Sequence, residues 1–282
     1  MITPTPRLEL EIAAKTDAGM LRSLNEDSIA TAAEQGLLVL SDGMGGYQSG
    51  DVASRITTHV MIEGLTQGLK KMAAHDNDVA SVIRNVVKRA NRAIFMEGER
   101  RAGTPGRQAQ AMGSTLALLL LRNDHVTLAH VGDSRIYRLR GGKLELMTHD
   151  HSLLQEQIDQ GVLSVEAAAT SHNRHLVTRG LGLQPEIEVA TDGWAAELGD
   201  LYLLCSDGLN DMVDNADIEL VLNSLQANLP LTASQLVMIA NDHGGEDNVS
   251  VILAKVVPAR APATSKPGFF AWLSGRLTTW LN

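Results

Sequence analysis

The 282-residue chain has a single cysteine, Cys205, so no internal disulfide can staple it, and a reducing cytoplasm is the compartment that fits. It has no long apolar run. The longest, Leu116 to Leu121, falls far short of the roughly 20 residues that a spanning helix needs, and Met1 to Glu11 carries Arg7 but no apolar stretch of the kind that directs export. Nor is there a basic excess: 24 Lys and Arg stand against 33 Asp and Glu, and the formal net charge of -9 works against nonspecific attraction to nucleic acid or anionic lipid. Internal repeats and low-complexity tracts are absent too. What the chain does have is 44% hydrophobic residues, enough for a full core in one large domain or one domain with a short appendage.

Apolar runs bounded by glycine or polar turns recur at Leu37–Leu40, Thr115–Leu121, Val126–Val131, Ile136–Leu139, Leu144–Met147, Leu201–Cys205 and Val249–Val257, and each predicts a strand. After Gly113 they follow in quick succession, with Arg122-Asn123-Asp124 and Arg140-Gly141-Gly142-Lys143 as turns, which predicts an antiparallel meander. Between the first strand and the meander lie two helical patterns. Val52, Ile56, Val60 and Gly64 repeat every four residues, and Val79, Ile83, Val87, Ala90 and Ile94 every three to four, so each helix should bury one stripe. Grouped antiparallel strands with paired helices favour a layered α+β domain over alternating βαβ units. Asp150–Gly182 opens with a helical pattern (Leu153, Leu154, Ile158), then turns polar, and reads as an excursion beside the site.

The domain is expected to end near Val257. Residues 258–267, with three prolines among small residues, read as a linker. Residues 268–282 place Phe269, Phe270, Trp272, Leu273, Leu277, Trp280 and Leu281 at roughly helical spacing, a short amphipathic segment holding two of the three tryptophans and two of the three phenylalanines.

Five carboxylates carry the chemistry: Glu26 and Asp27, Asp42 in Ser41-Asp42-Gly43-Met44-Gly45-Gly46, Asp207 in Ser206-Asp207-Gly208, and Asp247 in Gly244-Gly245-Glu246-Asp247-Asn248. Asp42 and Asp207 directly follow apolar runs and should emerge from the ends of buried strands. Like charges gathered at one focus repel in a low-dielectric site, and hard divalent cations with oxygen ligands neutralise them most readily. Metals bridged by a shared carboxylate can hold a water, lower its pKa toward neutrality and direct it at an ester, which suits phosphate esters. Glycine after each aspartate lets the backbone turn sharply and a carbonyl oxygen approach an ion. Arg22, four residues before Glu26, supplies a planar guanidinium that can grip two phosphate oxygens at once, as lysine cannot.

With these motifs in order, the chain resembles the bacterial metal-dependent type 2C protein serine/threonine phosphatases. The resemblance runs from about Leu10 to Val257 through Arg22-x-x-Asn25-Glu26-Asp27, Ser41-Asp42-Gly43-Met44-Gly45-Gly46, Gly113-Ser114-Thr115, Gly132-Asp133-Ser134-Arg135, Asp150-His151-Ser152, Ser206-Asp207-Gly208-Leu209 and Asp247-Asn248-Val249-Ser250. It implies a phosphatase domain over residues 1–257, built as a four-layer α-β-β-α sandwich of two antiparallel sheets flanked by helices, with residues 150–182 as a flap over the substrate cleft. It implies two Mn²⁺ or Mg²⁺ ions bridged by Asp42, with Glu26 and the Gly43 carbonyl on one and Asp207 and Asp247 on the other. Asp27 would act through metal-bound water and Arg22 would hold the phosphate. Direct attack of water on phosphoserine or phosphothreonine, with no phosphoenzyme, would follow. Two departures stand out. Met44 replaces the histidine proposed as general acid in eukaryotic relatives. Gln108-Ala109-Gln110-Ala111 offers no carboxylate before the Gly-Ser-Thr motif for a third, weaker metal, although Asp211 matches a position that contributes to one.

Plainer readings compete. Asp-Gly commonly just makes a turn after a strand. Asp133 is read as structural, bonding local backbone or Arg135. His149-x-His151 and His172-x-x-His175 have zinc-like spacing, but no cysteine accompanies them. Cys205 reads as a core thiol; a cysteine-based phosphatase needs an arginine six positions on, where Asp211 stands. Gly68-Leu69-Lys70-Lys71 is no P-loop. The rival from another class is a catalytically idle module that binds phosphoproteins or a kinase; retention of all five principal carboxylates argues for activity, with phosphorylated proteins, including an opposing Ser/Thr kinase, as partners. For the tail, folding back or binding a protein ranks above membrane contact, because Arg276 is its only charged side chain.

Overall fold

In a computed structural model, residues 7–45, 49–72, 78–102, 112–164 and 176–259 are described. Strand β3 (Leu37–Ser41) is buried at every position, and its side chains sort by parity: Leu37 and Val39 enter one apolar cluster, Leu38 and Leu40 another. A strand with two apolar faces must lie between two layers. The same split recurs in β6 (Leu116–Arg122), where Leu116, Leu118 and Leu120 face one way and Ala117, Leu119 and Leu121 the other. In β11 (Leu201–Cys205), Tyr202 and Leu204 share the middle cluster with β3 and β6, while Leu201, Leu203 and Cys205 face a third.

These parities define four layers. One sheet has the order β1 (Leu8–Asp17), β12 (Val249–Pro258), β11, β8 (Arg135–Arg140), β9 (Lys143–Leu146); the other has β10 (Ala190–Ala195), β7 (His125–Val131), β6, β3, β2 (Ser28–Ala32). Every neighbouring pair in these two sheets is antiparallel. The middle cluster fills the space between the sheets. Helices α1 (Ser49–Lys71) and α2 (Val79–Ala102) cover the second sheet. Helices α5 (Asn215–Leu225) and α6 (Leu229–Asp242) cover the first, their N-termini capped by Asp214 and Asn228. Short α3 (Leu153–Asp159) and α4 (Asp207–Asn210) and a two-stranded ribbon, β4 (Gly43–Met44) with β5 (Gly113–Ser114), complete the described elements. The expected α-β-β-α sandwich is the fold observed.

Two local expectations are corrected, and three strands add to those expected. The meander is two hairpins in different sheets: β6 pairs with β7 through Asn123 and Asp124, both at positive φ, and β8 with β9 through Gly141 and Gly142, also at positive φ, while the chain crosses between sheets at Gly132-Asp133-Ser134. The buried stripe of α1 is rotated one position from Val52, Ile56 and Val60, which are only partly buried, onto Ala53, Thr57, Met61 and Leu65. It turns because Thr57 and Thr58 return their hydroxyls to helix carbonyls at 3.0 and 3.2 Å, so polar side chains can lie on the buried face. Strands β1, β2 and β10 carry no unbroken apolar run and lie at sheet edges. The predicted linker and tail beyond residue 259, part of the flap (165–175), His172 and His175 lie outside the described residues.

Candidate metal centre

Strand pairing explains why carboxylates so far apart in sequence meet. Cys205 is in register with Val251, so the exit of β11 and the entry of β12 share one end of their sheet; Asp207 and Asp247 lie just beyond them. Asp17 pairs with Val249, so β1 also ends there and releases the loop that carries Arg22, Glu26 and Asp27. In the second sheet Ser28 pairs with Ser41, which sets the entry of β2 beside the exit of β3 and hence Asp27 near Asp42. Two sheets stacked face to face bring these ends together.

Neutral hydrogen bonds hold the acids in place. The Asp42 N–H donates to Thr115 Oγ1 (2.8 Å), the Thr115 N–H to the Asp42 carbonyl (2.8 Å), and the Ser41 hydroxyl to the Thr115 carbonyl (2.8 Å). Ser134 shares a further bond with Thr115 Oγ1 at 2.7 Å. Thus the Gly113-Ser114-Thr115 and Gly132-Asp133-Ser134 motifs clamp the Asp42 turn. On the other side, Asn248 is a hub. Its Oδ1 accepts the Glu26 N–H (2.7 Å), its Nδ2 donates to the carbonyls of Ala18 (3.0 Å) and Leu24 (2.9 Å), and its N–H donates to Asp247 Oδ1 (2.8 Å). Ser206 donates to Asp27 Oδ2 at 2.8 Å, and the Asp51 N–H at the start of α1 reaches Glu26 Oε1 at 3.3 Å.

The electrostatics are those of crowded acids. Burial pushes Asp27 up to about 8, and the charges of Asp207 and Asp247 add to the rise against hydrogen bonds from Ser250 and Ser206. Asp42 is half-buried as a residue, yet burial of its carboxyl, reinforced by Asp27, Asp207, Asp133 and Asp247, holds it well above the ordinary range. Asp247 is raised by burial and by Asp207, against the pull of the Asn248 N–H and Arg22. Asp27 Oδ1 is buried without a hydrogen-bond partner. Among the described residues no three His, Cys, Asp or Glu side chains close by themselves on one ion position. An ion held there would draw on carbonyl oxygen and water beside the carboxylates.

Each expected site residue has a definite place. Arg22, with 54% of its side chain exposed, donates to Asp247 Oδ2 at 2.7 Å, so the residue expected to hold phosphate rests on one of the acids. Gly43 and Gly208 are required for close approach, not for a sharp turn: neither has positive φ. A Cβ at Gly43 would lie 2.1 Å from the Gly50 carbonyl oxygen, and one at Gly208 2.1 Å from that of Asn248. Asp211 follows α4, its N–H on the Asp207 carbonyl at 2.8 Å.

Asp133 keeps half of the structural reading, since its carboxyl does bond local backbone. Arg135 does not bond it; that guanidinium grips Asp150 in a fork, Nε to Oδ1 at 3.1 Å and Nη2 to Oδ2 at 2.7 Å. Asp133 is instead buried, and burial together with Asp207, Asp150 and Asp211 raises it well above the usual carboxylate range. It belongs to the acidic cluster. Asp150-His151-Ser152 is tied to the sandwich on three sides: Asp150 takes Arg135, His151 stacks on His130 with ring centroids 4.7 Å apart and accepts the Gly132 N–H, and Ser152 caps α3. His149 bonds Asp159 at 2.7 Å, so the described part of the zinc-like spacing is otherwise engaged. Cys205 is a core thiol, its pKa pushed up to about 12 by burial.

A model of the family described as protein phosphatase 2C matches residues 22–236. The serine/threonine phosphatase stp of Listeria monocytogenes is 32% identical over 244 residues, 86% of this chain and 94% of that protein. The crystal structure of the Mycobacterium tuberculosis serine/threonine phosphatase PstP/Ppp superposes with a TM-score of 0.78 at 34% identity, covering 88% of this chain and 99% of that one. A structure of the PstP catalytic domain in complex with 2 manganese ions gives a TM-score of 0.76 at 35% identity, covering 89% of this chain and all of that one. The chain belongs to the protein phosphatase 2C family.

Proposed function

We propose that this protein is a metal-dependent phosphatase that hydrolyses phosphoserine and phosphothreonine in proteins at the trough formed by Glu26, Asp27, Asp42, Asp207 and Asp247. One observation carries the reading: strand pairing delivers Asp27, Asp42, Asp207 and Asp247 from both sheets to one end of the sandwich, where burial first and neighbouring carboxylates second raise Asp27, Asp42 and Asp247. Hard oxygen donors, repelling one another and including a buried carboxyl oxygen without a hydrogen-bond partner, fit Mn²⁺ or Mg²⁺. Asp42 would bridge two such ions, with Glu26 and the Gly43 carbonyl toward one and Asp207 and Asp247 toward the other. Asp27 would act through ordered water, and Asp211, whose charge acts on Asp133, would serve a third, weaker ion. Bound there, the ions supply Lewis acidity and a water-derived nucleophile at neutral pH.

The chain's own groups do the positioning. Thr115 and Ser134 fix Asp42, Asn248 fixes Glu26 and Asp247, and the exposed guanidinium of Arg22, held beside Asp247, has planar donors that suit two phosphoryl oxygens. No group of the site is assigned to protonate the leaving serine or threonine, since Met44 follows Gly43. The names of the relatives support phosphorylated proteins as substrates; the opposing activity would be a Ser/Thr kinase. A cytoplasmic location rests on the single buried cysteine; among the described residues, no helix is long and apolar enough to cross a membrane. The phosphatase domain is taken to span 1–257 and the tail to fold back or bind a protein. Hydrolysis of an aryl phosphate and of a phosphothreonine peptide, with and without Mn²⁺, tests the reading. Turnover should vanish on chelation and return with Mn²⁺, and full turnover at a metal content measured as nil would refute it.

A further inference from the structure

The loop between β1 and β2 is fastened along its length. The Gly19 N–H donates to Asp17 Oδ1 at 3.0 Å, the N–H groups of Met20 and Leu21 both donate to the Gly245 carbonyl at 2.8 and 3.2 Å, and Asn25 Nδ2 donates to Thr16 Oγ1 at 2.7 Å. Asn248 holds the carbonyls of Ala18 and Leu24. Gly19, at φ 74°, packs so closely that a Cβ there would stand 2.2 Å from the Asp247 carbonyl oxygen. A loop tied down this way has its side-chain directions set by its backbone, and it turns Met20 and Leu21 outward, 66% and 72% exposed, with Leu24 36% exposed.

Single apolar residues on a surface are ordinary. Here three fall within five residues, and between them stands Arg22, whose bond to Asp247 fixes the group at the edge of the acidic trough. We infer that Met20, Leu21 and Leu24 form an apolar lip that receives a hydrophobic side chain next to the phosphorylated residue of the substrate protein. The inference deepens the proposed phosphatase reading and rests on it. The occupant is the substrate's own chain because lip and guanidinium belong to one loop: a phosphoryl group taken by Arg22 brings a flanking residue, about 3.8 Å away along the chain, against the same loop. Methionine, unbranched and adaptable, suits a lip that must meet several apolar shapes.

The test measures kcat/KM for two phosphothreonine peptides that differ only in leucine or serine beside the phosphothreonine, with an aryl phosphate as a substrate that has no flanking residue. Wild type should favour the leucine peptide by about tenfold or more, the range that small apolar differences give. The single variants Met20→Ser and Leu21→Ser should shrink that ratio and the double variant should bring it near one, while aryl phosphate turnover holds. A wild-type enzyme indifferent to the flanking residue, or a ratio that survives in the double variant, overturns the lip. So does a double variant whose aryl phosphate rate changes, since the lip then serves the chain itself. Failure of the phosphatase reading would look different: no metal-dependent turnover of any of the three substrates.

Discussion

Gly208→Ala is the most exacting test of how the trough is built. Gly208 follows Asp207, and the atom its new methyl would meet is the carbonyl oxygen of Asn248, the residue after Asp247, at 2.1 Å. A relaxed carbon–oxygen contact is about 3.3 Å, so α4 and the entry of β12 must part by about 1.2 Å. Both neighbours are backbone or locked in hydrogen bonds: the Ser250 N–H donates to Ser206 Oγ at 3.0 Å, the Ser206 N–H to the Ser250 carbonyl at 3.1 Å, and Asn248 ties three segments together. Overpacking of this kind costs about 1–3 kcal/mol. Because the two proposed ligand acids sit next to the clash, a shift of about 1 Å should lower turnover by roughly a hundredfold.

The assay is paired. Gly208→Ala is compared with Gly98→Ala in the interior of α2, where a Cβ meets only Met112 Cβ at 3.6 Å; the helix should gain about 0.4–1 kcal/mol there. Thermal melts in chelator, calorimetric Mn²⁺ titration and kcat/KM on an aryl phosphate are read for both. Gly208→Ala should melt lower, bind Mn²⁺ more weakly and turn over slowly, while Gly98→Ala should melt higher with unchanged kinetics. A Gly208→Ala enzyme with wild-type metal affinity and rate would show that the approach of Gly208 to Asn248 does not set the spacing of Asp207 and Asp247.

Asp207→Asn should leave the chain folded but slow it by more than about a hundredfold, because outer-shell groups alone carry 10- to 100-fold in metal sites; a folded, metal-loaded variant near the wild-type rate in calorimetry and kinetics would contradict its role. Arg22→Ala should raise KM by about tenfold or more with Arg22→Lys rescuing only part, since charge-assisted bonds contribute about 1.5–3 kcal/mol; unchanged kcat/KM would assign phosphate capture to another group. In chelator, pH should act through the raised carboxyls, Asp27 with Asp42 and Asp133: the folded pKa of Asp27 lies near 8 against an ordinary 3.8, so the folded state binds its proton more tightly than the unfolded chain, and this contribution, full below about pH 4, is lost as pH rises through about 8. Asp27→Asn, which keeps an oxygen for Ser206, should flatten that fall in thermal melts from pH 4 to 8, and parallel curves would count against the shift. Removing residues 260–282 should leave aryl phosphate turnover within about twofold, because β12 pairs with β1 as far as Pro258 and the Ala259 N–H still reaches the Arg7 carbonyl at 2.7 Å; loss of activity in a folded product would move the domain boundary into the tail.

The strands legible in the sequence are those buried on both faces. Leu37–Leu40 and Leu201–Cys205 are continuous apolar runs, and Val249–Val257 is one broken only at Ser250 and Lys255, because each lies between a helical layer and the other sheet. The missed strands β1, β2 and β10 lie at edges, where one side needs no partner strand and charges such as Glu9, Glu11 and Asp192 are tolerated, even useful against further pairing. Their signal is weak for a physical reason, and the same reason hid the break in the meander. Nothing local to Gly132-Asp133-Ser134 says which sheet the next strand joins; that follows from Ile136 packing in the middle cluster and Tyr137 in the outer one.

The site divides along the same line. Asp42, Asp207 and Asp247 were readable because an acid placed at the mouth of a buried strand is a local pattern, and buried strands are what a sequence displays best. Asp133 escaped because its neighbour Arg135 offered a local partner that looked sufficient. The fold sends that arginine to Asp150, 15 residues away in the chain, and leaves Asp133 among the acids. Asn248 escaped for a related reason: an amide after an acid is unremarkable until three segments are seen to end within reach of its donors and acceptor. A ligand's identity is thus written where it stands, whereas its positioning group is written wherever the topology happens to bring a complementary polar atom. That asymmetry is why Gly208→Ala, which touches no charge, is expected to disturb the metal trough through the backbone of Asn248.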